Sequence, residues 1–159
     1  MADAADLELK KPDTGAGTIC ALLLDDLPEW FGIPEANAAY ATAAQANPTV
    51  VASADGAPVG ILTTIQHSET AAEILVMAVR RSHHRHGVGA AMLRFAERHL
   101  AENGIRFLQV KTLADTHPDP GYSETRAFYR ACGFEDLEIF PTLWDTDNPA
   151  LQMIKTIPS

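Results

Sequence analysis

The chain has 159 residues, 47% of them apolar and 21% charged, and a formal net charge of −9. This length and balance are typical of a single globular domain, which we expect to span residues 1–159. The negative charge argues against nucleic-acid binding, which needs a broad basic surface. No apolar stretch approaches the roughly 20 residues of a membrane span, and the amino terminus lacks a basic and apolar leader. We therefore expect a soluble, cytoplasmic protein without membrane contact.

The first half of the chain predicts two helices followed by strands. The predicted elements are a strand at 7–11, helices at 17–26 and 35–45, and strands at 49–53 and 58–66. Asp55-Gly56 predicts a tight turn between the last two strands, because both positions tolerate a positive φ. Residues 72–80 combine β-branched and large apolar side chains, so they are predicted to form a central strand that is buried on both faces.

The second half of the chain begins with apolar residues at the spacing of a helix. The predicted elements are a helix from Gly87 to Asn103, a strand at 105–112, a helix from near Ser123 to Gly133, and two strands joined by a loop around Trp144. The order strand, turn, helix, strand favours a parallel arrangement of 72–80 and 105–112 if they are neighbours in the sheet.

A basic stretch, RRSHHRHGVGAAML, leads into the helix that is predicted to begin at Gly87. Arginine or histidine fills six of the seven positions from 80 to 86, directly before Gly87 and Gly89. A glycine turn before a helix presents unpaired backbone N–H groups and the positive end of the helix dipole, which suit a pyrophosphate. A solvated turn whose glycines permit tight packing is the alternative that the stretch leaves open.

Common phosphate and metal motifs do not match this stretch. A Walker loop needs Gly-Lys before Ser or Thr, and a dinucleotide fingerprint needs a third glycine where the chain has Met92. The histidines of the turn have no cysteine or carboxylate at diagnostic spacing, so no metal is expected. Cys20 and Cys132 lie 112 positions apart, which favours free thiols.

Two segments, in their order along the chain, resemble the GNAT acyltransferases, which move an acyl group from acyl-coenzyme A to an amine. AEILVMAVRRSHHRHGVGAAML is similar to the family's fourth strand, pyrophosphate loop and following helix. TRAFYRACGF resembles its signature of Phe-Tyr, three residues, and Gly-Phe. The resemblance extends from about Val50 to Lys155. LPEWFGIPEANAAY and FPTLWDTDNPALQMIK are similar to a bacterial branch without an assigned substrate.

The resemblance implies an α/β (α+β) GNAT fold, in which helices flank a mixed, mostly antiparallel twisted sheet with a splayed, parallel pair of central strands. The cosubstrate acetyl-coenzyme A would enter the gap like an added strand and pair with the main chain of Met77 and Val79. Its pyrophosphate would bind the loop formed by His84, Arg85, His86, Gly87, Val88, Gly89 and Ala90. Relatives in the family are often dimers, which makes a homodimer an expectation here.

The chain departs from the family pattern at three positions. His84 stands where arginine or glutamine is usual, which leaves the backbone part of phosphate binding intact. Glu73 lies two residues before the position of the usual glutamate, here Leu75, and regular strand alternation predicts that both share a face. Tyr122 stands where many relatives have an asparagine that contacts the coenzyme.

Acyl transfer to an amine needs a proton acceptor and a proton donor. An amine with a reference pKa near ~10.4 is mostly protonated at neutral pH. Glu73, the only carboxylate of the predicted strand 72–80, is the candidate base, with water as the alternative. Tyr129 is the candidate donor to the leaving thiolate, as its family position implies, because tyrosine with a reference pKa near ~10 stays protonated. As alternatives, Glu73 could face water and Tyr129 could be a core aromatic.

Aromatic side chains predict an acceptor site. The candidates are Trp30, Phe31, Tyr40, Tyr122 and Trp144. Asp145 or Asp147 could attract a cation, although the aromatics could equally be core or lid residues and the acids could face solvent. His117 and Asp119 lie on the predicted connection THPDPGY, and such loops often carry specificity.

We therefore predict an acetyl-coenzyme A-dependent N-acetyltransferase that acts on a primary amine of a small molecule by direct attack in a ternary complex. A protein lysine or N-terminus is an alternative acceptor. A catalytically silent acyl-coenzyme A sensor would keep the glycine loop but would need neither Glu73 nor Tyr129. Nucleic-acid binding through residues 80–86 would instead depend steeply on salt.

Overall fold

The computed structural model describes residues 7–116 and 119–158, in which four helices flank a seven-stranded sheet. In chain order the elements are β1 (Glu8–Asp13), α1 (Gly17–Asp25), α2 (Pro34–Ala46), β2 (Thr49–Ala54), β3 (Ala57–Gln66), β4 (Ala71–Val79), α3 (Val88–Glu102), β5 (Phe107–Leu113), α4 (Pro120–Ala131), β6 (Glu135–Asp145) and β7 (Asn148–Thr156). The strand order is β1-β2-β3-β4-β5-β7-β6, and β4 and β5 are parallel while the other neighbours are antiparallel. The predicted fold class is confirmed.

Local turn chemistry explains two boundaries that differ from the sequence prediction. α4 begins at Pro120 rather than near Ser123, because proline suits the first helical position and Asp119 Oδ1 accepts a hydrogen bond from the N–H of Gly121 at 2.9 Å. Trp144 lies within β6 rather than in a loop, because residues 146–147 form the turn between the last two strands.

Apolar side chains form a buried cluster on each face of the sheet. α3 covers one face, where the cluster includes Leu62, Met92 and Leu108. α1 and α2 lie on the other face, where the cluster includes Leu23 and Ile61. β4 contributes side chains to both clusters, so this central strand is buried on both faces, as predicted.

A bulge interrupts the regular alternation of β4. Thr63 and Thr64, adjacent in β3, pair with Val76 and Ile74 respectively, so Leu75 is an extra residue in β4. A bulge of this kind re-aims the side chains on its two sides. Regular alternation predicts that Glu73 and Leu75 share a face of β4. The bulge at Leu75 interrupts that alternation.

β4 and β5 pair through their first halves and then separate. The parallel ladder ends at the pair Ile74 and Val110. Beyond it, β4 remains paired with β3 up to Val79, and β5 remains paired with β7 up to Leu113. The sheet therefore opens into a wedge between the second halves of its two parallel strands.

Candidate active site

A cleft of about 1250 Å³ occupies this wedge. β4 and the turn into α3 supply one group of lining residues, and β5, α4 and the β6–β7 hairpin supply another. Residues between 27 and 40, from the α1–α2 connection and α2, complete the lining. The cleft thus brings together segments that are far apart in the sequence, including both segments that resemble GNAT motifs.

The main chain of β4 faces the cleft at the two positions that the family resemblance implies. The N–H of Arg80 donates to the carbonyl of Val59 in the neighbouring chain segment at 2.8 Å, so it points towards β3. Because successive residues in a strand direct their N–H and C=O groups to opposite sides, those of Met77 and Val79 point away from β3. Both residues line the cleft.

The turn before α3 presents a row of unpaired amides. None of the backbone N–H groups of residues 85–90 makes a hydrogen bond of ordinary geometry to the described part of the chain. The first helical bond runs from the N–H of Ala91 to the carbonyl of Gly87, whose φ of 79° lies in the left-handed region. This arrangement, at the positive end of a 15-residue helix, suits a diphosphate.

The arginines of the basic stretch are paired with acids of the fold. The pairs are Arg80 with Asp26, Arg81 with Glu29, and Arg85 with Glu124. Arg85 and Glu124 both line the cleft, with 2.8 Å between Nη2 and Oε1, and both side chains are largely exposed. The loop therefore presents main-chain N–H groups to an anion more directly than free side-chain cations.

The two histidines predicted to bind the cofactor differ in position. His84 lines the cleft, and its Nε2 donates to the carbonyl of Val79 at 2.6 Å. The Trp30 ring packs edge-on against the imidazole, with 5.5 Å between centroids. His86 does not line the cleft. The His84 ring therefore occupies one of the two acceptor positions of the Val79 carbonyl.

Tyr129 lines the cleft from α4 and is 5% exposed. Its ring makes edge contacts with those of Phe128 and Phe134, each with 5.4 Å between centroids. Burial, followed by the nearby Cys132, raises the pKa of Tyr129 above its ordinary value. The hydroxyl therefore stays protonated at neutral and moderately alkaline pH, the state that a proton donor needs.

Glu73 lies beside the cleft but not in its lining. The residue is 8% exposed, and its two carboxylate oxygens lie 2.7 Å from Nε2 of His67 and 2.8 Å from Nζ of Lys111. Lys111, in β5, does line the cleft. The structure thus brings Glu73 to the edge of the site and holds it there between two basic groups.

The predicted acceptor-site aromatics all line the cleft. They are Trp30, Phe31, Tyr40, Tyr122 and Trp144. The hydroxyl of Tyr122 donates to the carbonyl of Trp30 at 2.5 Å, which ties α4 to the α1–α2 connection. Burial, with smaller effects from Tyr40 and Asp119, raises the pKa of Tyr122 to about 12. This hydroxyl therefore remains a donor across the physiological range.

The candidate acids divide between the cleft and its surroundings. Asp145 and Asp119 line the cleft, whereas Asp147 does not. The side-chain amide of Asn148, and then the backbone N–H of Asp147, lower the pKa of Asp145 and keep it anionic. His117 lies outside the described residues.

Sequence reasoning missed two polar residues of β5 that line the cleft, Lys111 and Thr112. Thr112 is buried, and its Oγ1 has no hydrogen-bond partner within residues 7–116 and 119–158. A signal for both existed, because the strand predicted at 105–112 borders the gap that the family resemblance implies. Its polar residues were therefore candidates for that gap.

Among the residues that the structure describes, no group of three or more His, Cys, Asp or Glu side chains could hold a metal ion. No helix in these same ranges has both the length and the apolar character needed to cross a bilayer.

Comparisons with known proteins agree with this geometry. Residues 17–134 match the model of the Acetyltransferase (GNAT) family. A putative GNAT acetyltransferase from Desulfovibrio desulfuricans has a similar structure, with a TM-score of 0.83, 15% identity, and coverage of 96% of this chain and 99% of that chain. The ribosomal-protein-S18-alanine N-acetyltransferase from Escherichia coli is also similar in structure. Its TM-score is 0.77 at 16% identity, with coverage of 96% of this chain and 95% of that chain.

The aminoglycoside 6'-N-acetyltransferase from Enterococcus faecium is also similar, with a TM-score of 0.71, 20% identity, and coverage of 96% of this chain and 98% of that chain. No curated protein sequence matches the chain. At these identities the solved structures show the shared fold, while the family model covers most of the sequence. The chain therefore belongs to the Acetyltransferase (GNAT) family of acyl-transferring enzymes, as its two motif segments predict.

Proposed function

We propose that the protein is an acetyl-coenzyme A-dependent N-acetyltransferase that acts on a primary amine of a small molecule by direct attack in a ternary complex. One observation carries the proposal: the open edge of β4 and the unpaired amides of Arg85 and residues 87–90 belong to one cleft. A pantetheine arm can extend along the edge while the pyrophosphate meets the amides. A similar solved structure, an aminoglycoside 6'-N-acetyltransferase, is complexed with coenzyme A, which supports this choice of cosubstrate.

The arm would place its thioester towards the narrow end of the wedge, near Ile74 and Val110. Main-chain groups of Met77 and Val79 would pair with the arm, and a main-chain N–H of β4 closer to the thioester would polarise its carbonyl. Because His84 donates a hydrogen bond to the carbonyl of Val79 from the side where the arm would lie, coenzyme binding would move this side chain. The imidazole would then be free to turn towards the pyrophosphate.

Tyr129 would protonate the sulfur of coenzyme A as the carbon–sulfur bond breaks. Its position in the lining and its raised pKa support this role, because the hydroxyl remains protonated until a thiolate forms. No covalent enzyme intermediate is needed, since the amine attacks the thioester directly.

Water would accept the proton that the acceptor amine loses. Glu73 is the other candidate base, but both of its oxygens are engaged and it lies outside the cleft lining. A carboxylate in that position can orient neighbouring side chains such as Lys111 without touching the amine. The proton would therefore pass to solvent in the cleft.

A cationic amine suits the acceptor end of the cleft. Asp119 and Asp145 both line it, and Trp144 adds an aromatic face beside the second of these acids. Carboxylates and aromatic faces both attract ammonium groups. The similar structures include enzymes named for aminoglycosides, which are small molecules.

A polypeptide amine is the second candidate acceptor. Ile33, Leu143 and Trp144 line the cleft although they are 55%, 52% and 47% exposed. Exposed apolar side chains around a cleft are typical of surfaces that contact a larger partner. One similar structure is named for acetylation of an alanine of ribosomal protein S18.

The test combines binding and turnover. Calorimetry should detect acetyl-coenzyme A binding, and a thiol-release assay across small amines, polyamines and short peptides should detect transfer. Tyr129→Phe should bind the cosubstrate normally and turn over slowly. Binding without turnover on any amine, unchanged by the substitution, would instead identify an acyl-coenzyme A sensor.

A further inference from the structure

Lys111, Glu73 and His67 form a polar cluster at the narrow end of the wedge. Lys111 follows Val110, the last β5 residue that pairs with β4. Its Nζ lies 2.8 Å from one oxygen of Glu73, whose other oxygen lies 2.7 Å from Nε2 of His67. The cluster therefore crosses from β5 to β4 where the two strands begin to separate.

The three members of the cluster differ in their access to the cleft. Among the described residues, Lys111 is the one lysine in the cleft lining, and neither Glu73 nor His67 lines it. An ammonium carries three donors, and Glu73 accepts one of them. The remaining donors of Lys111 are free, within the described residues, to meet a ligand in the cleft.

The ion pair with Glu73 holds the ammonium of Lys111 in place. Glu73 of β4 and His67 of the β3–β4 connection are the titratable groups of the cluster, and Gln152 of β7 lies opposite Lys111 as a neutral neighbour. The buried carboxylate compensates the charge of the lysine and restricts its rotation. Such a held cation resembles the fixed dipoles and charges that stabilise a developing oxyanion in other enzymes.

We propose that Lys111 is a catalytic residue of the transfer, and that Glu73 is a positioning residue that acts through it. This inference rests on the proposed function. The ammonium has two effects on the reaction at the narrow end of the wedge. It lowers the pKa of the acceptor ammonium bound beside it by like-charge repulsion, and it stabilises the negative oxygen of the tetrahedral intermediate.

The step balances without a change in the protonation of Lys111. The acceptor ammonium first loses a proton to water, and the nitrogen lone pair then forms the carbon–nitrogen bond. The carbonyl π pair moves to the oxygen that Lys111 stabilises. When this pair returns, the carbon–sulfur bond breaks, the thiolate takes the proton of Tyr129, and the nitrogen gives its extra proton to water. The tyrosine then regains a proton from solvent.

Lys111→Met tests the role of the charge, with Lys111→Arg as the variant that restores it. For an amine that the wild type acetylates, Lys111→Met should lower kcat by about tenfold to a hundredfold, since losing one oxyanion donor can cost that much or more. The acidic limb of the kcat–pH profile should move to higher pH by about one unit, because the bound amine regains a higher pKa. Lys111→Arg should restore the position of the limb.

Lys155→Met is the matched control, because Lys155 is also an ion-paired, half-buried lysine but lies outside the cleft lining. Its Nζ lies 2.7 Å from Oε1 of Glu97. This variant should have a lower free energy of unfolding. The acidic limb of its kcat–pH profile should stay at the wild-type pH. An unmoved limb in Lys111→Met, in an enzyme that still folds, would overturn the proposal.

Glu73→Gln separates positioning from base catalysis. As a positioning residue, its replacement should cost less in kcat than Lys111→Met, because the amide oxygen can still accept from Lys111. A larger loss, together with disappearance of the acidic limb, would make Glu73 the base and overturn the assignment of Lys111. Absence of turnover in the wild type would overturn the proposed function and this inference together. Wild-type turnover that keeps the same kcat and the same acidic limb in Lys111→Met would overturn the inference alone.

Discussion

The two ends of the cleft are built from different chemical groups. The end next to α3, the proposed coenzyme end, offers the backbone amides of Arg85 and residues 87–90 and the open main chain of β4. The proposed acceptor end is built from side chains of α2, α4, the β6–β7 hairpin and the α1–α2 connection. The first end depends on backbone conformation, which glycine controls, whereas the second depends on the identity of individual side chains. This difference determines how each end should respond to mutation.

Gly89→Val should produce the largest effect, at the coenzyme end. A Cβ on Gly89 would lie 3.1 Å from the Phe128 ring, so a branched side chain must push α3 away from α4 and cover the neighbouring amides. Loss of two charge-assisted hydrogen bonds should weaken coenzyme A binding by about a hundredfold or more. Calorimetry measures this change directly.

Gly104→Ala provides the control for glycine replacement. Gly104 has a φ of 82° at the far end of α3, and nothing lies within 4 Å of the added Cβ. The variant should lose about 1 kcal/mol of folding stability from backbone strain and keep its coenzyme affinity. Equal losses of affinity in the two glycine variants would mean that general destabilisation, and not the amide row, controls binding.

Tyr129→Phe should have the next largest effect, on chemistry rather than binding. Loss of the proton donor should reduce kcat by about a hundredfold, while coenzyme affinity stays within about twofold. Because burial raises the pKa of Tyr129, ionisation of this hydroxyl should not reduce wild-type kcat at any pH up to 10. Rate measurements from pH 7 to 10 check both points. A fall in kcat below pH 10 that disappears in Tyr129→Phe would contradict the raised pKa.

Side-chain variants at the acceptor end should have smaller effects, and these should depend on the substrate. Trp144→Ala and Asp145→Asn should each raise KM for a cationic amine about threefold to fivefold, since exposed cation–aromatic and ionic contacts are weak. Because Asp145 has a lowered pKa, its contribution should be constant from pH 6 to 9. Asp147→Asn, outside the lining, should leave KM unchanged. An equal rise in KM for Asp145→Asn and Asp147→Asn would contradict a direct contact between Asp145 and the amine.

Arg85→Ala should have only a small effect, although Arg85 lies at the coenzyme end. Its guanidinium is paired with Glu124 and is largely exposed, so removing it should weaken coenzyme A binding by about twofold. A loss as large as that of Gly89→Val would show that side-chain charge holds the phosphates and would erase the contrast between the two ends.

The sequence predicts the local structure of the end next to α3 well because its determinants are local. The Gly87-x-Gly89 pair, the basic turn and the apolar strand before it are consecutive, and each has a characteristic conformational preference. The hairpin turn at Asp55-Gly56 is predictable for the same reason, and its φ values of 52° and 80° agree. The family, the fold class and the enzyme class all follow from these local patterns.

The rest of the site depends on contacts between distant residues. Glu73 is 38 positions from Lys111, and their ion pair forms because β4 and β5 are adjacent and parallel. The bulge at Leu75 arises from pairing with β3 and changes which side chains share a face. The ion pairs of the arginines likewise join separate segments, which local patterns do not specify. The individual roles of the cleft residues remain predictions.

The central claim is that the main chain of residues 85–90 holds the pyrophosphate of coenzyme A. An amide NMR titration of the isotope-labelled protein with coenzyme A tests it most directly. The largest shifts should occur at the amides of 85–90, with a second set at Met77 and Val79, and acetyl-pantetheine, which lacks the pyrophosphate, should move the second set alone. Tight coenzyme binding that leaves the amides of 85–90 unshifted would contradict the claim.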